Sequence, residues 1–158
     1  MILKNKKTCF LFFLAIVIAI QLCGSFFTFS SIRQWYPSLE KPFWTPPKWV
    51  FGPAWTVLYI CIATAGWLVF QTVDSYKKRK ALFFYSLQLI FNFLWSYLFF
   101  YLQSPLLGLI DIFFLFFSII ASMYYFYVVS KKALILFTPY AFWVAYALSL
   151  NLGIYLLN

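Results

Sequence analysis

Side chains able to contact a flat, apolar ligand recur at helical spacing inside the most hydrophobic parts of this chain. They form three stripes, which are Gln88, Asn92, Trp95 and Phe99; Trp143, Ala147 and Asn151; and Trp55 with Tyr59. Because residues three or four apart share one face of a helix, each stripe could line an interior cavity. Aromatic walls with few hydrogen-bonding groups suit a large, flat, lipophilic molecule, and Ala147 would leave room for it.

Acid–base catalysis has few candidate groups in this sequence. Histidine is absent, which removes the usual catalytic base, the usual zinc ligand and the commonest haem ligand. The three cysteines lie in apolar runs without CxxC spacing, so we expect small buried side chains, no metal site and no fixed cofactor. Asp111 is the only acid within an apolar stretch. It could be a proton- or ligand-linked carboxylate, a helix cap or the partner of a loop cation.

Each stripe also has a purely structural interpretation. Tryptophans such as Trp35, Trp44 and Trp49 could anchor the chain at a membrane interface, and Asn92 and Asn151 could tie helices together. The shared depth of these residues, rather than any single one, favours a cavity near one membrane face.

The elements that would position these residues are transmembrane helices. Hydrophobic residues make up 65% of the 158-residue chain and charged residues only 9%, against about 25% charged in soluble domains. Five apolar stretches are long enough to span a bilayer, at 8–29, 49–70, 81–102, 106–129 and 133–157. We expect one all-α membrane domain over residues 1–158, a bundle of five transmembrane helices. Two very short connections predict that the last three helices form consecutive hairpins.

The distribution of lysine and arginine predicts the orientation in the cell membrane. Nine basic residues lie on the side of the N-terminus and three on the other side. The nine are Lys4, Lys6, Lys7, Lys77, Lys78, Arg79, Lys80, Lys131 and Lys132. We therefore expect a cytoplasmic N-terminus, an external C-terminus and an external first loop that covers the cavity. This topology, together with lipid headgroups, accounts for the net charge of +9 without nucleic acid.

Three segments of the sequence resemble the TspO/MBR family, which includes the tryptophan-rich sensory proteins and the mitochondrial translocator protein. The segment WYPSLEKPFWTPPKWVFGPAWTVLY, from Trp35 to Tyr59, is similar to the family signature. QLIFNFLWSYLFF resembles the third helix, and PYAFWVAYALSLN resembles the fifth. The acid at Asp111 also falls where family members keep one.

The resemblance implies a five-helix bundle, often a homodimer, that binds porphyrins and synthetic isoquinoline-carboxamide ligands. Its pocket is formed by the first loop with helices 1, 2, 3 and 5. Carried over to this chain, the pocket residues would be Trp44, Pro46, Trp55, Tyr59, Asn92, Trp95, Trp143 and Ala147. Tyr155 is not followed by the basic residue of the sterol-recognition pattern, which argues against sterol binding there.

Three functional hypotheses follow. The first is a membrane protein that binds porphyrin or another lipophile as a sensor, scavenger or transporter. The second is light-dependent porphyrin breakdown, in which the resemblance assigns Trp55 and Trp143. No nucleophile-and-base set supports any other enzyme activity. The third is a structural membrane subunit that acts through protein partners.

Overall fold

Five long helices account for most of the chain. The computed structural model describes residues 5–158, apart from the side chain of Ser30, so Lys4 of the basic count lies outside the described residues. The helices are α1 (Lys6–Gln34), α2 (Lys48–Phe70), α3 (Tyr76–Ser96), α4 (Pro105–Val129) and α5 (Lys131–Leu157). Each is long and apolar enough to cross a membrane. The described residues contain no β-strand, which confirms the all-α expectation.

Short polar side chains fix the starts of four of these helices. Asn5, Ser75, Ser104 and Ser130 each accept a hydrogen bond from a backbone N–H in the first turn that follows. Such caps satisfy N–H groups that have no partner within the helix. Ser130 caps α5 immediately after the end of α4, which is why so short a connection suffices there.

The helices pack as a ring in the order α1, α2, α5, α4, α3. Contacts are most extensive between α3 and α4 and between α4 and α5, as the predicted hairpins require. α5 also packs along α2, and α1 closes the ring against α2 and α3. At one crossing a Cβ on Gly66 would lie 2.4 Å from the Tyr85 ring, so only glycine allows this approach of α2 to α3. Large apolar side chains such as Phe26 and Phe142 are exposed on the outer surface, as expected for contact with lipid.

The end of the bundle that carries the first loop differs most from the sequence-based boundaries. α1 continues to Gln34, five residues beyond the predicted end of its span, so the first loop shortens to residues 35–47 and includes a single 3₁₀ turn, Tyr36–Ser38. α3 leads into a π-helical segment, Tyr97–Tyr101, in which the Leu102 N–H donates to the Tyr97 carbonyl over 2.9 Å. The wider turn lets the neighbouring Phe99 and Phe100 both be buried.

Candidate functional site

A cavity of 420 Å³ lies inside the ring at the first-loop end. Residues from all five helices contribute to its wall, with those of α4 limited to Ile112 and Leu115. Six of the eight pocket residues expected from the resemblance line it, namely Trp55, Tyr59, Asn92, Trp95, Trp143 and Ala147. The α5 stripe and three of the four residues of the α3 stripe therefore face the same space, whereas Gln88 is buried and does not line the cavity. The structure brings together on this wall residues that are far apart in the sequence.

The aromatic wall on the α2–α5 side is built around Trp55. Its ring stacks on Tyr59 with the centroids 5.2 Å apart and the planes at 29°. The ring of Trp143 meets Trp55 edge-on, with a centroid separation of 6.4 Å, and Phe51 also packs edge-on against Trp143, with the centroids 5.8 Å apart. The four-residue spacing of Trp55 and Tyr59 places both rings on the same face of α2. The packing of α5 on α2 brings Trp143 against Trp55. The result is an apolar, flat-sided surface.

A chain of hydrogen bonds runs from the cavity into the bundle. The Tyr59 hydroxyl donates to Oδ1 of Asn92 at 2.9 Å, and Nδ2 of Asn92 donates to the Tyr140 hydroxyl at 2.9 Å. The Tyr140 hydroxyl in turn donates to Oε1 of Gln88 at 3.0 Å. Nε2 of Gln88 is buried without a partner among the described residues. This chain ties α2, α3 and α5 together and fixes the amide orientation of Asn92 at the cavity wall.

A second polar connection joins α3, α4 and α5. The indole N–H of Trp95 donates to Oδ1 of Asn151, and Nδ2 of Asn151 donates to the carbonyl of Pro105. Asn151 is only 2% exposed and therefore needs protein partners, and these two hydrogen bonds satisfy both the oxygen and the nitrogen of its amide. Trp95 also stacks on Phe99 at 5.2 Å. The hydrogen bond and the stacked ring together fix the plane of the Trp95 ring at the cavity wall.

The first loop is held against α5 and the end of α3. The Tyr146 hydroxyl donates to the Trp44 carbonyl at 2.7 Å, and the side-chain amide of Asn158 exchanges two hydrogen bonds with the backbone of Glu40. Trp35 packs edge-on against Phe99, with the ring centroids 5.5 Å apart. These contacts place the loop across the open end of the bundle.

Trp44 and Pro46, the other two expected pocket residues, do not line this cavity. The Trp44 ring packs on Phe43, with the ring centroids 4.9 Å apart, and its side chain is exposed. The contribution of Trp44 to the arrangement is its backbone carbonyl, which Tyr146 binds.

Asp111 lies near the cavity but not on its wall. Its side chain is 4% exposed, and Oδ2 has no hydrogen-bond partner among the described residues. Within residues 5–158 it forms no ion pair, and Ser104 rather than Asp111 caps α4. Both structural alternatives raised by the sequence therefore fail, and the proton- or ligand-linked role stays a prediction.

Several cavity residues were not identified from the sequence. α1 contributes Gly24, Thr28 and Ile32, whose types carry no functional signal. Tyr140 does not line the cavity but lies at the centre of the hydrogen-bond chain behind its wall. The sequence does carry a signal for it, because it lies three residues before Trp143 and places a hydroxyl inside a span, where polar groups face the protein interior.

Comparison with known proteins gives a consistent match over almost the whole chain. A sequence model of the TspO/MBR family matches residues 12–157. The chain is 49% identical over 143 residues to "Tryptophan-rich protein TspO" of Archaeoglobus fulgidus, covering 90% of this chain and 92% of the relative. It is 40% identical over 148 residues to the protein of the same name from Chlorobaculum tepidum, covering 92% of each. It is 38% identical over 125 residues to "Tryptophan-rich sensory protein" of Cereibacter sphaeroides, covering 79% of this chain and 77% of the relative.

Proposed function

Because this chain belongs to the TspO/MBR family, we propose that it is a membrane protein that binds porphyrins or similar flat, lipophilic molecules in the cavity at the first-loop end. The observation that carries the proposal is the wall formed by Trp55, Trp95 and Trp143 around a space of 420 Å³. A volume of this size lies within the usual range for small-molecule sites of about 300–1,000 Å³.

The chemistry of the wall favours binding over acid–base turnover. The amides of Asn92 and Asn151 are already hydrogen-bonded to tyrosine, tryptophan and backbone groups. Neither of these two amides is paired with a nucleophile, and the chain has no histidine to act as a base. We propose that the bound molecule is sensed, scavenged or transported. In the orientation predicted from the basic residues, the cavity would open toward the outside of the cell membrane.

Quenching of tryptophan fluorescence by protoporphyrin tests this proposal. The detergent-purified protein is titrated beside Trp55→Phe and Trp143→Phe. Trp67→Phe is the matched control, because Trp67 lies at the other end of α2 and its indole donates to the Lys6 carbonyl. We expect saturable quenching that both cavity variants weaken and the control does not. Non-saturable quenching that is equal in all four proteins would indicate partitioning into the micelle and would favour a structural subunit that acts through protein partners.

A second candidate function is light-dependent oxidation of the bound porphyrin by dioxygen. The observation that favours it is the contact of Trp143 with Trp55 and of Trp55 with Tyr59, a row of readily oxidised rings beside the cavity. Illumination of the complex should then give new absorbing products that Trp55→Phe abolishes. Bleaching at the rate of free porphyrin would reject this activity.

A further inference from the structure

A second apolar space lies on the outer surface of the bundle, as a groove between α2 and α5. The groove is lined by residues of these two helices alone, among them Val57 and Phe142. Phe142 is 74% exposed and Val57 is 60% exposed, and both lie within helices that can span the membrane. Exposed apolar side chains at this depth contact lipid. The groove is therefore open to lipophilic molecules that are dissolved in the bilayer.

Trp143 lines both this groove and the interior cavity, and no other described residue lines both. Its side chain therefore stands between the two spaces. Phe51 and Trp55 of α2 hold the ring edge-on, with centroids 5.8 Å and 6.4 Å away. The indole N–H of Trp95 donates to Asn151, whereas that of Trp143 has no acceptor among the described residues. The Trp143 ring can thus change rotamer without breaking a hydrogen bond.

The two helices that border the groove are also the two with an internal proline. Pro53 of α2 and Pro139 of α5 both line the groove. A proline has no backbone N–H, so each removes one hydrogen bond of its helix and makes bending easier at that point. Bending at these prolines would separate α2 from α5 beside Trp143.

From the shared position of Trp143, we infer that the groove is the entrance through which the lipophilic ligand passes from the bilayer into the cavity, with the Trp143 ring as its gate. This inference rests on the proposed function and adds an outer site to it, which the ligand occupies before the ring turns aside. Apolar molecules concentrate in the bilayer rather than in water, so a lateral entrance faces the larger pool of ligand. The hydrogen bonds of Tyr146 and Asn158 to the first loop need not break during entry.

The alternative is entry from water beneath the first loop, with the groove holding only the acyl chain of a lipid. The two routes differ in which residues set the rate of exchange. A residue that lines only the passage changes the barrier that entry and exit share. Its substitution therefore alters both rates by the same factor and leaves Kd unchanged.

The test measures exchange of mesoporphyrin with the full chain in phosphatidylcholine vesicles. Val57→Trp fills the groove and does not alter the cavity, which Val57 does not line. Ile60→Trp is the matched control, because Ile60 is 52% exposed on the same helix and lines neither space. Phe142→Ala widens the groove instead. Stopped-flow emission of the porphyrin itself reports the two rates, since an added tryptophan contributes nothing to that signal.

We expect Val57→Trp to slow entry and exit by at least about fivefold and Phe142→Ala to speed both, with Kd unchanged in each. Ile60→Trp should exchange at the rate of the unchanged protein. Unchanged rates in Val57→Trp would overturn the inference, and so would a change in its Kd, which would make Val57 part of the binding site. Faster exchange in Gly153→Ala, in which the added Cβ would lie 2.6 Å from Cγ of Pro42 in the first loop, would then indicate entry beneath that loop. Absence of saturable binding in all of the proteins would instead overturn the proposed function.

Discussion

The indole N–H of Trp95 donates to Oδ1 of Asn151 across 2.9 Å, and this bond joins α3 to α5 beside the cavity. Asn151 also binds the carbonyl of Pro105 at the start of α4, so one buried amide holds three helices. In an apolar medium neither the indole nor the amide can find water as a substitute partner. The asparagine therefore has a structural role at the same place where the sequence suggested a ligand contact.

Asn151→Ala should lower the free energy of unfolding by about 1–2 kcal/mol, because the Trp95 indole is left without its acceptor. Reversible unfolding in mixed detergent measures the change. Thr64→Ala is the control, since the Thr64 hydroxyl donates to the Ile60 carbonyl one turn earlier in its own helix. Equal stability of the two variants would mean that the Trp95–Asn151 bond contributes nothing measurable.

The two tyrosines of the hydrogen-bond chain should differ in how much their hydroxyl groups contribute to the stability of the protein. Tyr140 is fully buried and its hydroxyl makes two bonds, to Asn92 and Gln88, whereas Tyr59 lies at the cavity and makes one. Tyr140→Phe should cost about 1–3 kcal/mol of stability, because it leaves two buried amide groups unpaired. Tyr59→Phe should cost less than about 1 kcal/mol. The same unfolding measurement compares them, and the opposite order would show that the buried chain is not a stabilising unit.

Much of this architecture could be predicted from the sequence. The five spans follow from hydrophobic length, and the inner faces of α3 and α5 follow from the spacing of Asn92, Trp95, Trp143 and Asn151. Helical periodicity shows which side chains share a face of a helix. Polar side chains in a span lie on the face toward the protein interior, because lipid tails cannot form hydrogen bonds with them.

Other features depend on tertiary packing and leave no local signal. The extension of α1 to Gln34 is one, since polar residues at its end look like a loop. The π-helical turn at Tyr97–Tyr101 is another, because it is stabilised by burial of Phe99 and Phe100 against the first loop. The exposed position of the Trp44 ring depends on the hydrogen bonds that Tyr146 and Asn158 form with the backbone of the first loop.

The first loop should be released by a single methyl group on α5. A Cβ on Gly153 would lie 2.6 Å from Cγ of Pro42, a buried residue of the loop. Gly153→Ala should therefore displace the loop and speed its cleavage after Glu40 by a glutamate-specific protease, by about fivefold for each 1 kcal/mol of lost docking.

Gly52→Ala is the matched control for this experiment. A Cβ there meets no atom within 4 Å, so the same substitution should leave the rate of cleavage unchanged. Equal rates for the Gly153 and Gly52 variants would show that the contact of Pro42 with Gly153 does not hold the loop.

Filling the cavity should prevent binding without unfolding the protein. Ala147 lines the cavity between Trp143 and Asn151, so Ala147→Phe would place a large ring in space that is otherwise open to a ligand. We expect at least about a tenfold loss of mesoporphyrin affinity, because the ring and the ligand compete for the same volume. Ala145→Phe is the control, since Ala145 lies two residues away on another face of α5 and does not line the cavity. If Ala147→Phe bound mesoporphyrin as tightly as Ala145→Phe, with both proteins folded, the ligand would have to bind elsewhere on the bundle.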